Sequence, residues 1–113
     1  CYVVPERHCD PEFYRRQLEF LWLLEQEAPP DCPILLSDRV EGIVPDEEAD
    51  PKGRTAAWSQ FEEHGVLALA VEASYHRTRA GNFVSPKSLR ALGAALVRAL
   101  LRLAHSTGLV SAR

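Results

Sequence analysis

The sequence predicts an α/β fold in which a mostly parallel sheet is flanked by helices. Residues 66–71 form a continuous apolar run directly after Gly65, which is typical of a strand buried on both faces. Two capping residues are each followed by proline, at Asp10-Pro11 and Ser85-Pro86, and each pair opens a segment with helical periodicity. Candidate strands and helices alternate along the chain, which is the order expected of α/β proteins.

The first 30 residues predict a short strand and an amphipathic helix. Residues 2–4 are apolar or aromatic, and Pro5 ends the strand. Asp10 is a suitable N-cap, Pro11 suits the first helical position, and apolar side chains then recur at spacings of three and four. We therefore expect a helix over Pro11–Glu27, ended by Pro29-Pro30.

The middle of the chain predicts a long loop. Residues 31–53 show no helical period, and residues 34–36 are apolar enough for a brief strand. An acidic cluster follows, which could bind a hard cation but lacks the spacing of a calcium loop. We favour a solvated loop face for its members, Asp46, Glu47, Glu48 and Asp50.

The last 60 residues predict a short helix, the apolar strand and a long final helix. Thr55 is a plausible N-cap, and Gly65 suits the left-handed position that closes a helix at His64. The final helix begins after Ser85, with arginines on one side. Its apolar stripe comprises five leucines, Leu89, Leu92, Leu96, Leu100 and Leu103. Small residues beside it would allow close packing against a sheet, namely Ala91, Gly93, Ala94 and Ala95.

Composition restricts the class of protein. The chain has 113 residues, of which 46% are hydrophobic and 26% charged, with a net charge of −3. This predicts a single domain that binds neither nucleic acid nor a membrane. Cys1, Cys9 and Cys32 follow no CxxC spacing, so we expect reduced thiols in a cytoplasmic protein. The chain contains no methionine and opens in a strand-like segment, so we expect a fragment of a longer reading frame, residues 1–113 forming part of one domain.

Glu72 is the candidate catalytic residue. It is a single carboxylate at the end of the apolar run, and a carboxylate in such a place has a partner, faces a cleft or has a shifted pKa. In open α/β sheets ligands bind outside the carboxyl ends of the strands, where we expect Glu72 to lie. The alternative is that Glu72 marks the point where the strand reaches solvent.

Three segments together resemble the C-terminal part of the zinc carboxypeptidase-like family, peptidase family M14. They are the glycine-closed helix at residues 55–65, the apolar strand with its terminal glutamate at residues 66–75, and the capped helix from residue 82 onward. The resemblance covers most of this chain but only the last part of a phosphorylase/hydrolase-like catalytic domain. It implies a zinc cofactor, a peptide or acylated amino-acid substrate, and Glu72 as the general base and acid.

The zinc ligands of that family are not evident in this chain. The family uses a His-x-x-Glu pair and a later histidine, and none of the four histidines here has a glutamate at that offset. We expect the ligands upstream of Cys1. No tyrosine lies between Tyr14 and Tyr75, so the tyrosine that true carboxypeptidases place before the catalytic strand is missing. Exopeptidase, deacylase and amidase action therefore all stay open.

The histidines have structural alternatives. His8 could be the late zinc ligand, but residues 5–9 resemble a turn before a helix, which favours a surface or capping role. His64 and His105 fall at helix ends, where a cation suits the helix dipole. His76 and Arg77 follow Glu72 and could contact substrate or be solvated loop residues.

Three functions are compatible with these observations. The chain could be the C-terminal part of a zinc metallopeptidase-like hydrolase, or an inactive domain of the same fold that binds a peptide or protein. It could also be an intact small interaction domain in which Glu72 only ends a strand. A thin sheet with two apolar faces leaves surface uncovered, so we do not expect an isolated monomer to unfold cooperatively.

Overall fold

The computed structural model describes residues 1–41, 63–73, 76–78 and 81–106. Its elements are strand β1 (Tyr2–Val3), helix α1 (Pro11–Glu27), strand β2 (Val40–Glu41) and helix α2 (Pro86–Ser106). The two strands are parallel, with Tyr2 opposite Val40 and Val3 opposite Glu41. The described residues thus form a small α/β arrangement, and none of their helices is long and apolar enough to span a membrane.

The chain divides into two compact units. The first comprises Cys1–Leu18 and Asp38–Glu72, and the second comprises Glu19–Ser37 and Ala73–Arg113. Helix α1 begins in the first unit and ends in the second. Its observed bounds confirm the helix predicted from the Asp10-Pro11 signal.

In the first unit, the start of α1 is fixed by its N-cap and by one buried glutamine. Asp10 Oδ1 accepts a hydrogen bond from the Glu12 amide at 2.9 Å. Gln17 is fully buried, and its side chain accepts from the Val4 amide at 2.7 Å and donates to the Val4 carbonyl at 3.1 Å. Gln17 therefore satisfies both backbone groups of a residue that has just left β1.

In the second unit, the end of α1 and helix α2 run antiparallel. Arg98 Nε donates to Glu27 Oε2 at 2.8 Å, and Arg102 Nη1 donates to Glu27 Oε1 at 3.2 Å. One turn further along α2, the Ser106 hydroxyl donates to Glu19 Oε1 at 3.0 Å. These contacts set the rotation of α2 about its own axis.

Helix α2 begins as its sequence signal predicts. The Ser88 amide donates to Ser85 Oγ at 3.1 Å, and the Ser85 amide donates to Ser88 Oγ at 2.7 Å. This is a reciprocal cap in which a serine replaces the usual glutamate at the third helical position. Because two orphan amides are satisfied, the helix starts at Pro86.

The apolar stripe predicted for α2 is only partly buried. Leu92 and Leu103 are buried, but the other buried positions are Ser88, Ala95 and Ala99, while Leu89 and Leu100 are exposed. The periodicity indicated an apolar face without indicating how the helix is turned. Its contacts with Glu27 and Glu19 turn the small residues inward and leave part of the leucine face outside.

The predicted strand at residues 34–36 is wrong. A single 3₁₀ turn occupies Leu36–Asp38, and the strand lies further along, at Val40–Glu41. The Leu36 amide donates to Glu25 Oε1 at 3.2 Å, so a side chain takes the group that a ladder would have used. The acidic cluster at residues 46–50 and the Thr55 cap lie outside the described residues.

The fully buried strand predicted at residues 66–71 is also wrong. Only Ala70 forms a bridge, and it is antiparallel to Tyr2. Val66 is 51% exposed, and residues 67–69 and 71 are exposed or half-buried. Ala70 bonds both backbone groups of Tyr2, and the next groups on the same edge, those of Val4, are bonded by the Gln17 side chain. The apolar segment therefore has a single bridging position.

Candidate functional site

The backbone before Glu72 is positioned by a helix end and a bridge. Glu63 and His64 are helical, and Gly65 has φ +65°, which confirms the predicted left-handed closure. The Tyr2 amide donates to the Ala70 carbonyl at 2.8 Å, and the Ala70 amide donates to the Tyr2 carbonyl at 3.4 Å. Glu72 thus lies two residues beyond Ala70, whose amide and carbonyl are both bonded to Tyr2.

The Glu72 side chain lies on the exposed side of this segment. Ala70 and Glu72 are exposed, while Leu69 and Val71 are half-buried. This is the alternation of an extended chain, in which every second side chain lies on the same side. The carboxylate is therefore accessible to solutes.

The expected placement of Glu72 at the carboxyl edge of a parallel sheet is wrong. Its segment is antiparallel to β1, whereas β1 and β2 are parallel to each other. The end of this segment consequently lies beside the amino ends of β1 and β2. The sequence predicts the extended conformation but holds no information on its direction relative to a partner strand.

Glu72 differs in its pairing from two other carboxylates, Glu12 and Glu41. Glu12 accepts from Arg15 and Arg16, which lower the pKa of its carboxyl to about 2. Glu41 accepts from the Tyr14 hydroxyl at 3.2 Å. Glu72, by contrast, has no hydrogen bond or ion pair with any residue that the structure describes.

Tyr2 shares the exposed face with Glu72, and sequence reasoning missed it. Tyr2 is directly opposite Ala70, and opposed residues of an antiparallel pair lie on one face. Its ring is 40% exposed, while Val3 is buried. An outward Tyr2 followed by an inward Val3 is the alternation of a strand. That pattern could have indicated the Tyr2 phenol as a site residue if the partner of β1 had been known.

His76 and Arg77 form a separate cluster with Phe83. Arg77 and Phe83 are bridged, and the Val84 amide donates to the His76 carbonyl at 2.8 Å. The guanidinium carbon of Arg77 lies 4.2 Å from the Phe83 ring centroid, and the His76 ring meets it edge-on at 5.5 Å. These residues belong to the second unit and Glu72 ends the first, so their role in one site stays a prediction.

The remaining histidines occupy helix ends or turns. His64 Nε2 lies 3.6 Å from Glu63 Oε2 at the end of its helical turn. His105 is in the last turn of α2, as predicted. The backbone of His8 is in a 3₁₀ turn at Glu6–His8, in agreement with the predicted turn before α1.

Neither the Cys9 thiol nor the Cys32 thiol is an activated nucleophile. Burial raises the pKa of the Cys9 thiol, and Asp10, Glu41 and Glu6 raise it further. Cys9 Sγ lies 3.3 Å from the Pro5 carbonyl oxygen, to which the thiol can donate. Burial also raises the pKa of Cys32. A catalytic cysteine requires the opposite shift, toward the thiolate.

A zinc ion does not fit the described part of the chain. Among those residues, no three His, Cys, Asp or Glu side chains come together to hold a metal ion. A catalytic zinc site requires three protein ligands. The expected place of these ligands, upstream of Cys1, stays a prediction. Comparisons with protein-family models, curated protein sequences and solved structures give no match for this chain.

Proposed function

We propose that this chain contributes the catalytic carboxylate of an amide-cleaving hydrolase of the zinc carboxypeptidase-like kind, with metal ligands supplied by residues upstream of Cys1. The observation that supports the proposal is Glu72 itself. Its carboxylate is exposed, unpaired within the described residues, and two positions from a backbone bridge that restrains it.

The role of Glu72 in this reaction is proton transfer. As water attacks the carbonyl carbon of the amide, the carboxylate accepts a proton from the water and later donates it to the departing nitrogen. A carboxylate suits this role when its environment raises its pKa toward the working pH. Because Glu72 is exposed, a bound substrate has to provide that desolvation.

Tyr2 extends the proposed site. Its phenol is on the same exposed face as Glu72 and can donate a hydrogen bond to a substrate oxygen. The substrate class that we propose is a peptide or an acylated amino acid, since both present an amide next to a carboxylate.

Glu72→Gln in the upstream-extended protein tests the proposal. The amide has the same shape but cannot accept the proton, so we expect turnover to fall by at least about a hundredfold with bound zinc unchanged. Glu63→Gln is the matched control, because Glu63 is also an exposed glutamate of the same segment. Turnover on peptides and N-acyl amino acids and metal content are the measurements. An unchanged rate in Glu72→Gln would make the carboxylate structural.

An inactive binding domain of the same fold is the second candidate. It is favoured by the exposure of Glu72, because a solvated carboxylate suits a binding contact better than it suits proton transfer. In that case an unpaired carboxylate would contact a donor on a peptide or protein. Upstream sequence without a His-x-x-Glu pair, together with peptide binding that Glu72→Gln weakens, would favour this candidate over the enzyme.

A further inference from the structure

The apolar surface of helix α2 extends beyond the part of the helix that is buried. Four large apolar side chains, which we call the outer sector, are between 39% and 57% exposed: Leu89, Val97, Leu100 and Leu101. Because successive residues of a helix are about 100° apart, the outer sector begins beside the buried Leu92 and Leu103 and continues round to the solvent side. A continuous exposed apolar surface of this kind marks an interaction site.

The charged groups around the outer sector are cations. Helix α2 contains the cations Lys87, Arg90, Arg98 and Arg102, and no Asp or Glu follows Glu72 in the sequence. The helical spacing places Arg90 within the outer sector, near its amino end, and Lys87 and Arg98 beside one edge. Arg98 and Arg102 share the single carboxylate of Glu27, so that group keeps a positive charge. A partner of this surface has to be both apolar and anionic.

We infer that the outer sector of α2 lies on an anionic membrane surface, with the helix axis parallel to the plane of the bilayer. An interfacial helix inserts its apolar face at the boundary between headgroups and acyl chains, and its cations attract anionic lipids. The long side chains of Lys87 and Arg90 can reach the headgroups while their stems remain in apolar surroundings. Helix α2 has 21 residues and offers about 30 Å of length for this contact.

A lipid surface suits the outer sector better than a protein partner does. Protein interfaces carry about one hydrogen bond per 100–200 Å². Between Arg90 and His105 the outer sector and the positions among its members contain no polar side chain that could form one. A second copy of α2 would also bring cations against cations. An anionic bilayer supplies apolar depth and negative charge together and does not require a matching shape.

Attachment to a surface differs from crossing a bilayer. No helix among the described residues is long and apolar enough to cross a membrane. The composition-based expectation of no membrane partner rests on the lack of such a segment. An interfacial helix needs only one apolar face, which the outer sector provides. The role proposed for Glu72 is independent of this contact.

Co-sedimentation of the upstream-extended protein with lipid vesicles tests the inference. One set of vesicles contains phosphatidylcholine and phosphatidylserine, and the other contains phosphatidylcholine alone. We expect clear binding to the anionic vesicles and much weaker binding to the neutral ones. Binding to the anionic vesicles should fall as salt is raised to about 1 M, where the Debye length is about 3 Å.

Leu101→Gln tests the apolar part of the contact. Removing an inserted leucine should lower the partition coefficient on anionic vesicles at least about fivefold. Leu35→Gln is the matched control, because Leu35 is 43% exposed, close to the 50% of Leu101, but lies outside α2. Its binding should equal that of the original protein. Circular dichroism of both variants checks that the helices are retained.

Arg90→Gln tests the electrostatic part. One cation near an anionic surface is worth about a fivefold change in partitioning, so binding should fall by that factor on anionic vesicles and stay unchanged on neutral ones. Arg15→Gln removes the same charge from an exposed position on α1 and is the control. Glu72→Gln should bind vesicles like the original protein, which keeps this result separate from the proposed hydrolase.

Three results would overturn the inference. The first is an upstream-extended protein that binds neither kind of vesicle, which would assign the outer sector to a protein contact. The second is an equal loss of binding in Leu101→Gln and Leu35→Gln. The third is equal binding to anionic and neutral vesicles, because the cations around the outer sector would then have no role.

Discussion

At the scale of single residues, Gln17 shows how one buried side chain links a strand to a helix. It is fully buried, and both of its polar atoms bond to the backbone of Val4. Removing it leaves an amide and a carbonyl without a partner in a place that water does not reach. An unsatisfied buried group costs more than the lost hydrogen bond alone.

Gln17→Leu should therefore lower the free energy of unfolding by about 2–4 kcal/mol, although leucine has a similar size and is more apolar. Gln26→Leu is the control. Gln26 bonds the Trp22 carbonyl and Arg102, but it is exposed, so its loss should cost no more than about 0.5 kcal/mol. Urea denaturation of the upstream-extended protein, the form suited to all these stability measurements, gives both values. Equal losses of stability in Gln17→Leu and Gln26→Leu would mean that the Val4 amide and carbonyl find another partner.

Glu72 illustrates the opposite case at the same scale. Its carboxylate is exposed and forms no hydrogen bond or ion pair with the described residues. Substitution of Glu72 should hence leave stability within about 0.5 kcal/mol, the usual range for exposed sites. This separation of stability from activity makes Glu72→Gln an informative test of the proposed hydrolase.

At the scale of elements, the start of α2 depends on a pair of serines. Ser85 and Ser88 each bond the amide of the other, and Ser88 is fully buried. The first turn of a helix has amides with no partner inside the helix, and this pair satisfies two of them. Helix α2 therefore begins at a defined position.

Ser85→Ala should lower the free energy of unfolding by about 1 kcal/mol, because the Ser88 amide loses its acceptor. Ser85→Asp should retain most of the stability, since aspartate is an equally good N-cap and suits the positive end of the dipole. Ser37→Ala, at an exposed serine, is the control and should change little. Thermal unfolding followed by circular dichroism is the measurement. A Ser85→Asp variant as unstable as Ser85→Ala would argue against the cap.

At the scale of the whole molecule, the pH dependence of stability should reflect the arginine pair on Glu27. Arg98 lowers the pKa of the Glu27 carboxyl below its ordinary value of 4.5, partial burial opposes this, and Arg102 lowers it further. A folded-state pKa below the unfolded one means that the contribution is present above about pH 4.5 and is lost as pH falls below it. Acid should thus weaken the attachment of α2 to α1.

Glu27→Gln should remove that part of the acid sensitivity. Between pH 6 and pH 3 the variant should lose less stability than the original chain, while at pH 6 it should already be the less stable of the two. Adding Arg98→Gln to Glu27→Gln should cost less stability than Arg98→Gln alone, because the carboxylate is gone and Arg98 keeps only its bond to the Glu27 carbonyl. Urea midpoints at the two pH values test this. A variant with undiminished acid sensitivity would assign the effect to other carboxylates.

The sequence by itself determined the elements whose signals are local. Asp10-Pro11, Ser85-Pro86 and Gly65 each impose a conformation through neighbouring atoms, and each is found where it was expected. It also indicated Glu72 as a lone carboxylate after an apolar run. The family, the zinc and the hydrolase activity stay predictions.

Only the tertiary structure decided the features that depend on distant partners. The segment at residues 66–71 forms one antiparallel bridge because Gln17 takes the backbone groups of Val4, and the register of that bridge places Tyr2 and Glu72 on one exposed face. The rotation of α2 follows from Glu27 and Glu19, which lie more than 70 residues away in the chain. Periodicity shows that a helix has an apolar face, but contacts with other elements determine which part of that face is buried.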